Sequence, residues 1–116
     1  IIQFIMKRFV FIIRGPVAGI SSESSLASEA ELDQIRTWLK GLKSTYSDML
    51  FQKFSGELQA LNQSGKLDSR LIQQIDGGEI SQIVTLILPG LEVAEEIAAS
   101  FPFPNEFYSL ELREMA

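Results

Sequence analysis

Lys7 to Arg14 reads KRFVFIIR and runs into Gly15-Pro16. β-Branched and aromatic residues fill this stretch and a Gly-Pro pair ends it, so it reads as a strand. With the two-residue period of a strand, Phe9, Phe11 and Ile13 share one face, and Val10 and Ile12 share the other. Arg8 and Arg14 mark the ends. Both faces are apolar, so both should be covered. Ile80 to Leu88, ISQIVTLIL, has the same two-sided apolar character and is stopped by Pro89-Gly90. These two strands are expected at the centre of a sheet.

The segments around them carry a different period. Val17 to Ser28 is small and polar and reads as a loop. Ser28 followed by Glu31 has the form of a capping box, and Leu32, Ile35, Trp38, Leu39 and Leu42 then recur at helical spacing. A helix is expected over about Glu29 to Thr45. Its end is open to two readings, because Tyr46, Met49, Leu50 and Phe54 continue the period. The competing reading, which we favour, places a strand within Phe51 to Leu58, closed by Gly56. Asn62-Gln63-Ser64-Gly65 and Asp76-Gly77-Gly78 are turns. Lys66 to Ile75 between them fits a short strand or a turn of helix. Leu91, Ala94, Ile97, Ala98 and Phe101 form a second helical stripe over Leu91 to Ser100, ended by Pro102 and Pro104. Phe107 to Glu114 alternates, with Tyr108, Leu110 and Leu112 inward and Ser109, Glu111 and Arg113 outward, as in an edge strand.

The order is strand, helix, strand, strand, helix, strand, with no internal repeat or linker. The expected fold is α+β: a ferredoxin-like sandwich with a four-stranded, mostly antiparallel sheet and two helices on one face. Two helices cover one face only, which leaves the Val10 and Ile12 side apolar and bare. A two-fold homodimer packed sheet against sheet would cover it. Met6 is a candidate natural start. Ile1 to Ile5 would then be upstream or added residues outside a single domain over 6–116.

Composition excludes much chemistry. The 116 residues contain no His and no Cys. Disulfides, thiolate or Ser-His-Asp catalysis, and His- or Cys-ligated metals are therefore ruled out. No carboxylate cluster has calcium-loop spacing, and Glu95-Glu96 reads as a solvated helix face. No phosphate-binding glycine loop occurs. No cofactor and no metal are expected. The 10 basic and 15 acidic residues give a net charge of −5, and no basic stripe offers itself to nucleic acid. The apolar run Ile1 to Ile13 is interrupted by Lys7-Arg8 and is shorter than the about 20 residues that span a bilayer. Its charges sit mid-run rather than ahead of it, unlike a signal peptide. A cytoplasmic protein with no membrane partner is expected.

In the C-terminal third, IVTLILPGLEVAEEIAASFPFPNEFYSLELREM, the residues Leu91, Glu92, Ala94, Ile97, Ala98, Phe101, Pro102, Glu111, Leu112 and Arg113 form a pattern. It is an apolar strand, a Leu-acidic-x-Ala helix, an aromatic-Pro pair and a strand ending in Glu-x-Arg. This pattern resembles the end of YCII-related proteins, including their DGPF-type branch. The strand Lys7 to Gly15, and Trp38 with Gly41-Leu42, look like the same family. The resemblance spans about two-thirds of the chain; Thr45 to Glu79 does not match it. It implies a dimeric α+β barrel of ferredoxin-like units and little about chemistry. Some members carry a His–Asp pair suspected of acid/base work, and one branch degrades chlorinated aromatic intermediates. That pair cannot be carried over to a chain without His, and Asp76-Gly77-Gly78 is at most a remnant of the Asp-Gly-Pro-Phe signature.

The candidate site residues each have two readings. Trp38 is a wall of a ligand cleft or plain core. Arg14 clamps a carboxylate, pairs with an acidic group of a second protomer, or ends its strand in water. Asp76 is a general base or a turn cap. Tyr46 and Tyr108 donate hydrogen bonds to a ligand or pack half-buried. Glu111 and Arg113 meet across a dimer axis or face water. Two functions compete on this inventory. One is a homodimeric module binding a small apolar or aromatic molecule between helix 1 and the sheet. The other is a cofactor-free isomerase, lyase or hydrolase acting on a small carbonyl compound. The second would use Asp76 or a Glu as base, with Arg14 or a Tyr as oxyanion stabiliser. On either reading the dialysed protein is expected to carry no stoichiometric zinc or iron, which elemental analysis checks.

Overall fold

A computed structural model of the chain describes residues 5–15, 29–54, 61–67 and 80–116. Among these residues lie strand β1 (Lys7–Arg14), helix α1 (Glu29–Thr45), strands β2 (Leu50–Lys53) and β3 (Ile80–Leu88), helix α2 (Leu91–Ala99) and strand β4 (Ser109–Glu114). The sheet order is β2-β3-β1-β4, with every neighbouring pair antiparallel. The two strands that are apolar on both faces take the centre. β1 and β2 run parallel around β3, and β3 and β4 run parallel around β1, each pair spanned by a helix-bearing connection. This is the α+β order of a ferredoxin-like unit.

The register explains the core. Phe9 faces Leu86 and Phe11 faces Val84 on β3, while Phe11 faces Leu112 and Ile13 faces Leu110 on β4. Phe9, Phe11, Ile13, Val84, Leu86 and Leu88 have no solvent exposure. They share one cluster with Ile35, Leu39 and Leu42 of α1 and Ala94 and Ile97 of α2. Both helices therefore cover the same face. On the opposite face Val10 lies beside Thr85, and Ile12 lies beside Ile83; all four are only half-buried.

The ends of the elements follow local chemistry. The helical period runs on past Thr45, but the helix does not. Lys43 Nζ donates to the carbonyls of Ser47 at 3.1 Å and Met49 at 3.3 Å, which closes the C-terminal turn with a cation. Met49 is buried, and the chain then pairs with β3 as the short, exposed strand Leu50–Lys53. It begins one residue before the expected window, whose residues 55–58 lie outside the described residues. In the turn at Asn62–Gly65 the Asn62 side chain accepts from the backbone of Ser64 and Lys66. The expected loop 17–28, the Ser28 cap, residues 68–75 and the Asp76-Gly77-Gly78 turn also lie outside the described residues. β4 begins at Ser109 rather than Phe107, because Asn105 Oδ1 accepts from the Phe107 amide at 2.8 Å and holds a turn there. No helix among the described residues is long and apolar enough to cross a membrane.

Phe11 sits between Val84 and Leu112 at the middle of the buried face. Phe11→Ala is expected to lower unfolding free energy by about 3–5 kcal/mol, whereas Gln34→Ala on the exposed side of α1 should change it by less than about 0.5 kcal/mol. Urea denaturation measures both.

Candidate functional site

A cavity of about 240 Å³ opens between α1 and the β2–β3 side of the sheet. Helical spacing of three and four residues puts Leu32, Ile35 and Leu39 along its roof, with Arg36 and Lys40 beside them. Its floor follows the two-residue period of the strands: Phe51 and Lys53 from β2, and Gln82 from β3. Val84, Leu86 and Leu88 fill the rest of the inward row of β3. Gln82 is thus the polar step at the end of an apolar row.

Two local features shape this end of the cleft. The β1–β3 register shifts between Ile13 and Arg14, which makes Ser81 the extra residue of a bulge. Its buried hydroxyl donates to the Ile13 carbonyl at 3.1 Å. On the β4 side, the Tyr108 ring lies directly over Gly15. A Cβ placed on Gly15 would meet Tyr108 Cδ1 at 2.3 Å, so only glycine admits the ring here. The ring crosses the end of β1, and Tyr108 joins the wall of a cleft built on β3.

The polar groups of the cleft are unevenly satisfied. Tyr108 is 6% exposed. Its hydroxyl and Gln82 Oε1 are both buried without a hydrogen-bond partner among the described residues. Burial pushes the Tyr108 phenol above its ordinary value, and the charge of Glu31 adds to the effect. The phenol is therefore a neutral donor at ordinary pH. Glu31 itself accepts from the Asn105 amide. Arg36 is held by Asp33 at 2.7 Å and by Glu29 at 3.4 Å. No ion pair engages Lys40 or Lys53 among the described residues. No carboxylate belongs to the described cleft wall, and no group of three acidic residues fit to hold a metal occurs among the described residues.

Of the residues singled out from the sequence, Tyr108 lies in this cleft. Trp38 faces the other flank of α1: its Nε1 donates to Ser100 Oγ at 2.8 Å, and its ring meets Phe101 edge-on at 5.1 Å. It ties α1 to the end of α2. Tyr46 packs half-buried against the core just past α1. Arg14 lies on the opposite face of the sheet, where its Nε donates to Glu111 Oε1 at 2.7 Å. Glu111 therefore meets a cation of its own chain, while Arg113 is exposed. Asp76 lies outside the described residues. Gln82, Lys40 and Lys53 were not singled out from the sequence. The signal for Gln82 was present as the polar break in the inward alternation of ISQIVTLIL. The lysines gave none, since exposed lysines are ordinary.

No family model, curated protein or solved structure matches the chain.

The raised Tyr108 value has a defined sign. The fold favours the neutral phenol, so this contribution to stability is complete below the ordinary value of 10.0 and is lost as pH rises through the higher folded value. The difference in phenolate absorbance between the wild type and Tyr108→Phe should titrate with a midpoint above 10.0. A midpoint at or below that value would show the ring to be solvated.

Proposed function

We propose that the chain is a homodimeric binding module that holds a small apolar or aromatic molecule in the cleft between α1 and the sheet. One observation carries the binding half: Tyr108 OH and Gln82 Oε1 are both buried, both without a partner among the described residues, and both in a cavity lined by Leu32, Ile35, Leu39, Phe51 and Phe54. A buried polar group left unpaired costs about 1–3 kcal/mol, and folds retain such groups where a ligand satisfies them. The described wall has a phenol donor but no carboxylate base, which favours binding over acid/base turnover of a carbonyl compound.

The dimer rests on the other face of the sheet. Val10, Ile12, Ile83 and Ile87 form an apolar patch there, extended by Leu50 at 64% exposure. Leu50, Ile83 and Thr85 also wall a hollow that a second copy would fill. A stable interface buries about 1,200–2,000 Å² in total. The C-terminal residues that resemble YCII-related proteins, and the dimeric α+β barrel that resemblance implies, fit the same assembly.

Native mass spectrometry is expected to show a two-chain species that carries or accepts a small organic molecule. Ile12→Asp is expected to give single chains or unfolded protein, while Gln34→Asp on α1 remains dimeric. A single-chain mass for the wild type at micromolar concentration would reject the dimer. A bare dimer that gains no mass from single-ring or short-chain compounds at millimolar concentration would reject the binding role.

A further inference from the structure

The strand register makes the cleft amphipathic along its length. Phe51 lies opposite Val84, which lies opposite Phe11, so one layer across the sheet is apolar. The next inward layer is Lys53 opposite Gln82, which lies opposite Ile13. Beyond that layer comes Gly15 with the Tyr108 ring over it. Residues two apart in a strand are about 6.6 Å apart, which sets the spacing between the apolar layer and the polar one.

The charge of this wall opposes that of the chain. The net charge of the chain is −5, yet the described wall holds Arg36, Lys40 and Lys53 and no carboxylate. Arg36 is taken by Asp33 and Glu29. Lys40 and Lys53 make no ion pair among the described residues and are offered to a ligand. Glu31, whose charge reaches Tyr108, accepts from the Asn105 amide and is not part of the described wall. The Tyr108 hydroxyl offers a donor, and a half-turn of the Gln82 amide offers another.

Building on the binding role proposed above, we infer that the occupant is a small organic monoanion. It would be a single-ring or short-chain carboxylate, its apolar body between Ile35, Leu39 and Phe51 and its carboxylate at Tyr108, Gln82 and Lys53. The volume of 240 Å³ sets the size. It lies below the roughly 300–1,000 Å³ of pockets for drug-sized ligands and above the about 150 Å³ that admits benzene. Burial in the cleft strengthens hydrogen bonds to the charged head relative to those in water.

The test compares anions with neutral isosteres in calorimetric titrations at low salt: benzoate, phenylacetate and hexanoate against benzamide, phenylacetamide and hexanamide. At least one carboxylate is expected to bind about tenfold or more tighter than its amide, with the preference shrinking as salt is raised. Tyr108→Phe keeps the ring over Gly15 and should weaken that carboxylate at least about tenfold, the scale of a hydrogen bond to a charged group. The double variant Lys40→Gln/Lys53→Gln changes two exposed side chains and should abolish the preference for the anion. Equal binding of acids and amides would overturn the anion assignment and leave the binding role standing, and a preference that survives the double lysine variant would overturn the placement of the carboxylate beside the lysines. Failure of all six compounds at millimolar concentration would overturn both.

Discussion

The antiparallel pairing of β1 with β3 is the constraint on which the other features depend. It sets Phe9 against Leu86 and Phe11 against Val84, and this pair of strands is apolar on both sides. Side chains of that kind are stable only when covered, at roughly 25 cal/mol per Å² of apolar surface. The inward row is covered by α1 and α2, which bring Ile35, Leu39, Leu42, Ala94 and Ile97 onto it. β2 and β4 flank the pair as edges, and their one-sided or short apolar patterns suit that place. The same arithmetic turns the outward row, Val10, Ile12, Ile83 and Ile87, into the surface proposed to meet a second copy.

The pairing is also imperfect in a way that shapes the candidate site. At the end of β1 a bulge at Ser81 shifts the register, and Gly15 leaves room for the Tyr108 ring. The apolar core thus gives way to a short polar layer of Ser81, Gln82 and Tyr108 at one end of the sheet. Ser81 is satisfied by the Ile13 carbonyl; Gln82 Oε1 and Tyr108 OH have no partner among the described residues. A core that pairs one polar group and leaves two aimed into a cavity is organised differently from plain packing. Trp38 shows the contrast. Its indole is satisfied by Ser100 and packed edge-on against Phe101, as expected of a residue that joins two helices.

The central strands, the span Glu29–Thr45 and the inward alternation Tyr108, Leu110, Leu112 were legible in the sequence. Their periods are local, and burial reinforces them. The end of α1 was less legible, because Met49 and Leu50 keep a helical period while the Lys43 cap and the pairing of Leu50 with Thr85 terminate the helix. Part of the site was legible as well. Tyr108 could be named because tyrosine joins an apolar body to a polar tip. Arg14, equally suggestive as a charge at a strand end, lies on the outer face and pairs with Glu111.

The sequence by itself determined which residues alternate, which recur at helical spacing, and which chemistries are closed to a chain without His or Cys. Those are properties of neighbouring positions and of composition. The tertiary structure alone decided that Gln82 and Tyr108, 26 residues apart by their numbers, meet in one cleft across the end of β1. It also decided that Lys53 stands in the same layer while Trp38 and Arg14 do not. Register, a bulge and a missing Cβ set those distances, and each depends on strands brought together from distant parts of the chain.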